Sequence, residues 1–96
     1  MNLNRKVDLR VQNKQEKNNY YSYSLSCGEG NDKIKVVDAE LVGSSTAIYK
    51  DGDLGILVPT TVPVGSSKVK VEFTYYVLRS ATNSIEWRFE RTLDLY

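Results

Sequence analysis

Residues 68–79 read KVKVEFTYYVLR and residues 85–96 read IEWRFERTLDLY, with a short polar connection between them. Apolar and polar side chains alternate along both segments, which is the pattern of two antiparallel strands that each bury one face. The inward faces would carry Val69, Val71, Phe73, Tyr75 and Val77 on the first strand, and Ile85, Trp87, Phe89, Leu93 and Leu95 on the second. The stretch therefore predicts a long β-hairpin, with Phe73 and Trp87 as anchors of the core.

Charge favours one register for this hairpin. Pairing Val77 with Trp87 sets opposite charges across the outer face, whereas a slip by two residues places Glu72 opposite Glu90. Like charges directly opposite one another are unfavourable, and opposite charges help by roughly 0.2–1 kcal/mol. We therefore predict the register that pairs Val77 with Trp87.

Shorter alternating segments and turn signals fill the rest of the chain. The parity of the apolar residues changes between Val36 and Val37, which predicts a β-bulge there. Residues 12–19 are all polar and are expected to form a loop, while residues 28–32 and 51–53 have the Gly, Asn and Asp content of turns. The predicted strands are residues 3–12, 19–27, 33–42, 46–50, 54–58, 67–79 and 85–96, with essentially no helix.

Short strands separated by turn signals about every ten residues indicate an all-β protein that forms a single domain over residues 1–96. We predict an immunoglobulin-like antiparallel β-sandwich of about seven strands. The alternative is a small closed barrel of the OB or SH3 type. The Cys…Trp…Cys spacing of true immunoglobulin domains is absent, because Trp87 lies in the last strand and Cys27 is the only cysteine.

The composition excludes several classes of function. The chain is 41% hydrophobic and 26% charged, which is ordinary for one globular domain of 96 residues. It has no histidine, and this excludes Ser-His-Asp and Cys-His catalysis and zinc or iron sites built on histidine. The one cysteine, Cys27, rules out an internal disulfide, and its inward phase indicates a buried structural thiol. We expect no enzymatic activity and no cofactor.

Charge and hydropathy also limit the partners. The 13 basic and 12 acidic residues give a net charge of +1, which argues against a duplex DNA binder that relies on a strong general field. No apolar run reaches the length of a signal peptide or a membrane span, so we expect a cytoplasmic protein, or an extracellular one if the chain is an excised domain. Asp51 and Asp53 offer two oxygens to calcium, but the later ligands of an EF-hand are absent, so a hairpin turn is favoured.

Three side chains on the polar phase are candidates for contact with a partner. Tyr20 and Tyr76 lie on the polar phase of their strands, and in the predicted register Arg88 lies beside Tyr76. Tyrosine and arginine are the residue types enriched in protein–protein hot spots. The outer face of the hairpin is therefore the best candidate surface.

Arg91 is a fourth candidate, because it breaks the apolar phase of the last strand. Pairing with a buried acid, for which Asp38 and Glu40 are candidates, is the favoured interpretation. Arg91 could instead extend to solvent at a sheet edge or line a binding cleft. Breaks in a local pattern are where functional sites tend to occur.

These observations favour a non-enzymatic module that binds a protein partner or self-assembles, and small size and composition suggest a phage, mobile-element or bacterial protein. The alternative is a single-stranded nucleic-acid binder on an OB-like barrel. In that case Tyr20, Tyr76 and Arg88 would form a stacking platform, and the basic residues between positions 5 and 17 would contact phosphates. A carbohydrate-binding domain is the third hypothesis.

Overall fold

The structure is a computed structural model and describes residues 8–27 and 33–96. Within these residues, segments in which apolar and polar side chains alternate form seven strands. A short 3-10 turn, Val64–Ser66, precedes the sixth strand. The strands are β1 (Arg10–Lys17), β2 (Tyr20–Ser26), β3 (Lys33–Leu41), β4 (Tyr49–Asp51), β5 (Gly55–Pro59), β6 (Lys68–Ser80) and β7 (Asn83–Asp94).

The strands form two antiparallel sheets. Sheet A has the order β1-β2-β5-β4, and sheet B has the order β3-β6-β7. Three hairpins stay within one sheet, and the connections that enter β3, β4 and β6 cross from one sheet to the other. The predicted all-β sandwich is confirmed, and the closed-barrel alternative is wrong.

The core lies between the two sheets. Phe73 on the central strand of sheet B is fully buried, as predicted, and Cys27 is buried at the end of β2. Trp87 faces inward and packs against the core. It is only half-buried, because in the described chain β7 has a neighbouring strand on one side alone. The inward side chains are Tyr23 and Leu25 of β2, Ile56 and Val58 of β5, Ile34, Val36, Ala39 and Leu41 of β3, and Val69, Val71, Phe73 and Tyr75 of β6.

The polar run at residues 12–19 is not a loop. β1 continues through Lys17, and the chain reverses at Asn18 and Asn19, whose φ angles are 48° and 71°. Asparagine tolerates this left-handed region better than most residues, and two such residues in a row suit the twist of a tight hairpin. The predicted strand residues 3–7 and the predicted turn at residues 28–32 lie outside the described residues.

The predicted β-bulge in β3 is confirmed. The ladder between β3 and β6 shifts between Val36 and Asp38. Val37 is therefore the extra residue, and its side chain is 37% exposed. The bulge lets Val36 and Ala39 both face the core although their spacing is odd.

The predicted turn at residues 51–53 is also confirmed, and its backbone joins the two sheets. Gly52 has a φ of 68°, which glycine adopts without strain. The amide of Leu25 in sheet A donates to Leu54 O, and the amide of Val36 in sheet B donates to Asp53 O, each at 2.7 Å. The first bond joins the β4–β5 turn to β2 within sheet A, and the second holds the turn against the edge of β3.

β6 and β7 pair two residues away from the predicted register. Val77 lies opposite Ile85, and Glu72 lies opposite Glu90. Arg88 sits on the same face and reaches diagonally to Glu72, with 2.6 Å between its Nη1 and the carboxylate Oε2. The charge of Arg88 offsets the repulsion between the two facing carboxylates. The predicted register considered only directly opposed pairs, so it did not include this diagonal contact.

The connection between the two strands also favours this register. Ser80 pairs with Asn83 across a two-residue turn, after a shift in the ladder between Leu78 and Ser80. The sequence predicted a longer connection, residues 80–84. Because loop length sets hairpin register, the shorter turn moves the pairs by one residue, and the shift between Leu78 and Ser80 moves them by one more.

Candidate functional site

The four predicted contact residues do not form one surface. Tyr76 and Arg88 lie on the outer face of sheet B, on β6 and β7. Arg91 lies on the inner face of β7, opposite Val71. Tyr20 lies on β2 in sheet A.

Tyr76 and Arg88 line one open groove of about 380 Å³ on the outer face of sheet B, which we call the outer groove. The register places Tyr76 opposite Glu86, while Arg88 lies opposite Thr74. The predicted direct pair of Tyr76 and Arg88 is therefore wrong, but both side chains reach the same groove. The groove is completed by Lys35, Val36, Val37, Lys50, Thr74 and Glu86.

The outer groove is basic with an apolar wall. Lys35, Lys50 and Arg88 stand against the single carboxylate of Glu86, a formal excess of two positive charges among its lining residues. Val37, turned outward by the bulge, adds an exposed apolar side chain. This combination can take an anionic group beside an apolar one.

Lys50 reaches this groove although its strand belongs to sheet A. It precedes the β4–β5 turn, and that turn is fixed to β3 by the bond from Val36 N to Asp53 O. The groove is therefore built at the seam where the two sheets meet. Sequence reasoning missed Lys50, because the link depends on the packing of the sheets.

Next to the outer groove the same face becomes acidic. Asp38, Glu40, Glu72 and Glu90 surround Lys70 in a depression of about 60 Å³. Lys70 Nζ lies 2.8 Å from Glu40 Oε1. That hydrogen bond raises the pKa of Lys70, and the charges of Glu40, Glu90 and Glu72 act in the same direction. The outer face of sheet B thus has a basic end and an acidic end.

The acidic end is not accompanied by metal-binding geometry. Among the described residues, no three His, Cys, Asp or Glu side chains are placed so that they could hold a metal ion. Asp51 and Asp53 occupy the β4–β5 turn, with Gly52 between them at positive φ.

Arg91 does not pair with Asp38 or Glu40, so the favoured interpretation of this residue is wrong. Its guanidinium carbon lies 5.1 Å from the centre of the Phe89 ring, and Nη1 donates to Glu90 O at 2.9 Å. Among the side chains that the structure describes, none that is charged is buried, so no buried acid is found there for Arg91. Arg91 instead extends along the edge of sheet B, which is one of the alternatives weighed above.

The inner face of β7 carries a half-buried apolar row that sequence reasoning placed in the core. Tyr75 contacts Trp87, and Phe73 contacts Phe89, each with ring centres 6.0 Å apart. Trp87 and Phe89 are nevertheless only half-buried. The row, which we call the β7 row, consists of Ile85, Trp87, Phe89 and Leu93.

Tyr20 belongs to a separate aromatic patch on sheet A. Its ring meets that of Tyr49 edge to face, with centres 6.2 Å apart and an interplanar angle of 72°. Tyr49 is 50% exposed. Because Tyr76 and Arg88 lie on the outer face of the other sheet, the three residues do not form the predicted stacking platform.

No protein-family model, curated protein sequence or solved structure matches the chain. None of the described residues belongs to a helix long and apolar enough to cross a membrane. The functional interpretation therefore rests on the geometry of the two sheet surfaces.

Proposed function

We propose that the chain is a non-enzymatic binding module with immunoglobulin-like topology, and that the outer face of sheet B binds another protein. The strand order supports the topology, because β1-β2-β5-β4 against β3-β6-β7 is the order of the seven-stranded constant-type immunoglobulin sandwich. Such a scaffold does not define a function by itself, so the proposed function rests on the residues of its surface.

The outer groove is the observation that carries the proposal. Tyr76 and Arg88 are side chains typical of interface hot spots, and both line it together with Lys35 and Lys50. Tyr76 is half-buried, so little rotamer entropy remains to be lost on binding. Exposed Val37 supplies apolar contact. The groove suits a peptide segment that presents an acidic side chain next to an apolar one.

The acidic end of the same face favours a protein over a nucleic acid. A single strand carries a phosphate on every nucleotide, so a strand that leaves the groove along the sheet would meet Glu72 and Glu90. A protein can place acidic groups on the basic end and basic groups on the acidic end. Single-stranded nucleic acid remains the second candidate, supported by the basic charge around Tyr76.

A peptide-display selection on the purified chain tests the proposal. We expect enriched peptides to combine Asp or Glu with an apolar residue, and their synthetic copies to bind in fluorescence polarisation. Tyr76→Ala and Lys50→Glu should each weaken binding about tenfold or more. Tyr20→Ala, on the other sheet, is the matched control and should change nothing.

Two results would contradict the proposal. Peptides that bind Tyr76→Ala and Lys50→Glu as tightly as the wild-type chain would place the site elsewhere. Retention of labelled oligothymidine at physiological salt, lost in the same two variants, would favour the nucleic-acid alternative instead.

A further inference from the structure

β7 presents a long edge for strand pairing. Over its 12 residues it pairs with β6 and with no other strand of the described chain. The ladder to β6 runs without a shift from Asp94 to Ser84, and β7 contains no proline. Such edges are usually protected by a proline, a bulge or charged side chains. Residues 84–94 have no proline and no bulge, and their protection is charge, with Arg91 on the inner face and Glu86, Arg88 and Glu90 on the outer face.

We propose that a second copy of the chain pairs with this edge, β7 against β7 and antiparallel, about a two-fold axis at Phe89. The two B sheets would then join into one continuous sheet. This interface lies at the edge of sheet B and requires no ligand in the outer groove, with which it shares Glu86 and Arg88. The facing pairs would be Phe89 with Phe89, Arg88 with Glu90, Trp87 with Arg91, Glu86 with Thr92, and Ile85 with Leu93 of the second copy.

The outer-face pairs of this register are complementary in charge. Arg88 faces Glu90 of the second copy, and symmetry produces this pair twice. Within one chain Glu90 already lies opposite Glu72, while Arg88 holds Glu72 at 2.6 Å. Pairing therefore gives Glu90 the opposite charge that its own neighbouring strand does not provide directly opposite it.

The inner-face pairs of this register give a role to Arg91, the charged residue in the apolar phase of β7. Its guanidinium would lie against Trp87 of the second copy, a favourable cation–π pair. Ile85 and Leu93 would cover one another, and two Phe89 rings would meet at the axis. Pairing would cover the half-buried β7 row. It would also give the inward cation of Arg91 a favourable contact, whereas a generic apolar partner strand would oppose that charge.

Neighbouring registers are less favourable. An axis at Arg88 would set two Arg88 side chains together and Glu86 against Glu90, and an axis at Glu90 would set two Glu90 carboxylates together. An axis at Trp87 avoids these repulsions but leaves Leu93 outside the paired segment. The axis at Phe89 is the register that combines opposite charges with the full β7 row.

Analytical ultracentrifugation of the chain alone, up to millimolar concentration, tests the interface. We expect a reversible monomer–dimer equilibrium. Arg88→Glu and Glu90→Arg should each weaken dimerisation about tenfold or more, because each places like charges opposite one another. The double variant Arg88→Glu/Glu90→Arg should restore the dimer, since the facing charges are then exchanged and opposite again. Lys17→Glu, an exposed position on β1 of sheet A, is the matched control.

A cross-linking experiment tests the register. In a Cys27→Ser background, Phe89→Cys should form a disulfide-linked dimer on mild oxidation, because facing Cβ atoms across paired strands are close enough for one. Trp87→Cys should not, because it would face Arg91. Circular dichroism of each variant verifies folding. A monomer at every concentration, a charge exchange without rescue, or preferential cross-linking of Trp87→Cys would each overturn the proposal.

Discussion

Arg88 and Glu72 form an ion pair across adjacent strands although they are not directly opposed: 2.6 Å separates Nη1 from Oε2, while the residue opposite Glu72 is Glu90. Both side chains are partly solvated, so the pair contributes about 1 kcal/mol or less to stability. It nevertheless offsets the repulsion between the two facing carboxylates. The ion pair therefore links the hairpin register to a residue of the outer groove.

Removing that cation should expose the repulsion between Glu72 and Glu90. We expect Arg88→Ala to lower the free energy of unfolding by about 0.5–1 kcal/mol, measured by urea denaturation at low salt. Adding Glu90→Gln should recover most of the loss. A double-mutant cycle with no coupling between positions 88 and 90 would contradict this account.

The sequence revealed strands with a clear apolar period and missed those without one. β6 buries alternate side chains completely because it is central in sheet B, and its pattern is unmistakable. β1 is an edge strand with mostly exposed side chains, so the run at residues 12–19 looked like a loop. Edge and central strands follow different compositional rules, and the position in the sheet is a tertiary property.

The sequence predicted which types of side chain lie on the surface, but not which of them lie next to one another. Tyr76 and Arg88 fell on the outer face because the period of two fixes which side of a strand a residue occupies. Lys50 joined them, and Tyr20 did not, because sheet packing brings β4 to the edge of β3 and puts β2 in the other sheet. Such neighbours are distant in sequence, and no local pattern encodes them.

Gly55 should not tolerate a side chain. A Cβ atom at this position would lie 2.7 Å from Asp51 O and 3.2 Å from Asp51 Cβ, and the backbone of a tight hairpin cannot yield easily. We expect Gly55→Ala to destabilise the protein by about 1–3 kcal/mol. Gly65→Ala is the matched control, because nothing lies within 4 Å of its added methyl group. Equal urea midpoints for the two variants would contradict the steric argument.

Tyr23 should make the protein sensitive to high pH. Its side chain is fully buried and its hydroxyl donates to Tyr96 O at 2.8 Å. Desolvation, with smaller contributions from the charges of Tyr21 and Tyr96, raises the pKa of Tyr23 from 10.0 to about 12. The folded state therefore keeps the proton that the unfolded state releases, so stability is intact below pH 10 and falls as the pH rises toward about 12.

Tyr23→Phe separates this effect from the titration of the other tyrosines. The variant should lose about 0.5–1.5 kcal/mol at neutral pH, from the hydrogen bond to Tyr96. Its decline in stability above pH 10 should be smaller than that of the wild type. Chemical denaturation across the alkaline range measures both, and parallel pH curves would show that Tyr23 does not carry the linkage.

Lys14 should fasten β1 to Tyr21 and Tyr23 of β2 and to Tyr96, which follows β7. Its ammonium lies 4.4 Å from the ring centre of Tyr21, 5.7 Å from that of Tyr23 and 5.4 Å from that of Tyr96, and it also donates to Tyr96 O. A cation in contact with aromatic rings contributes about 0.5–2 kcal/mol, depending on its solvation. Lys14→Met keeps the apolar stem and removes the charge, so we expect a loss in that range.

The loss of stability in Lys14→Met should appear first as local opening of the structure and only then as global unfolding. Hydrogen exchange should rise first in the amides of β1 and around Leu95, whose amide donates to Ser67 O next to the contact. Lys17→Met, an exposed lysine on the same strand, is the matched control and should leave both exchange and stability unchanged. If the two variants exchange alike, the charge of Lys14 does not fasten the edge of sheet A to the chain segment that follows β7.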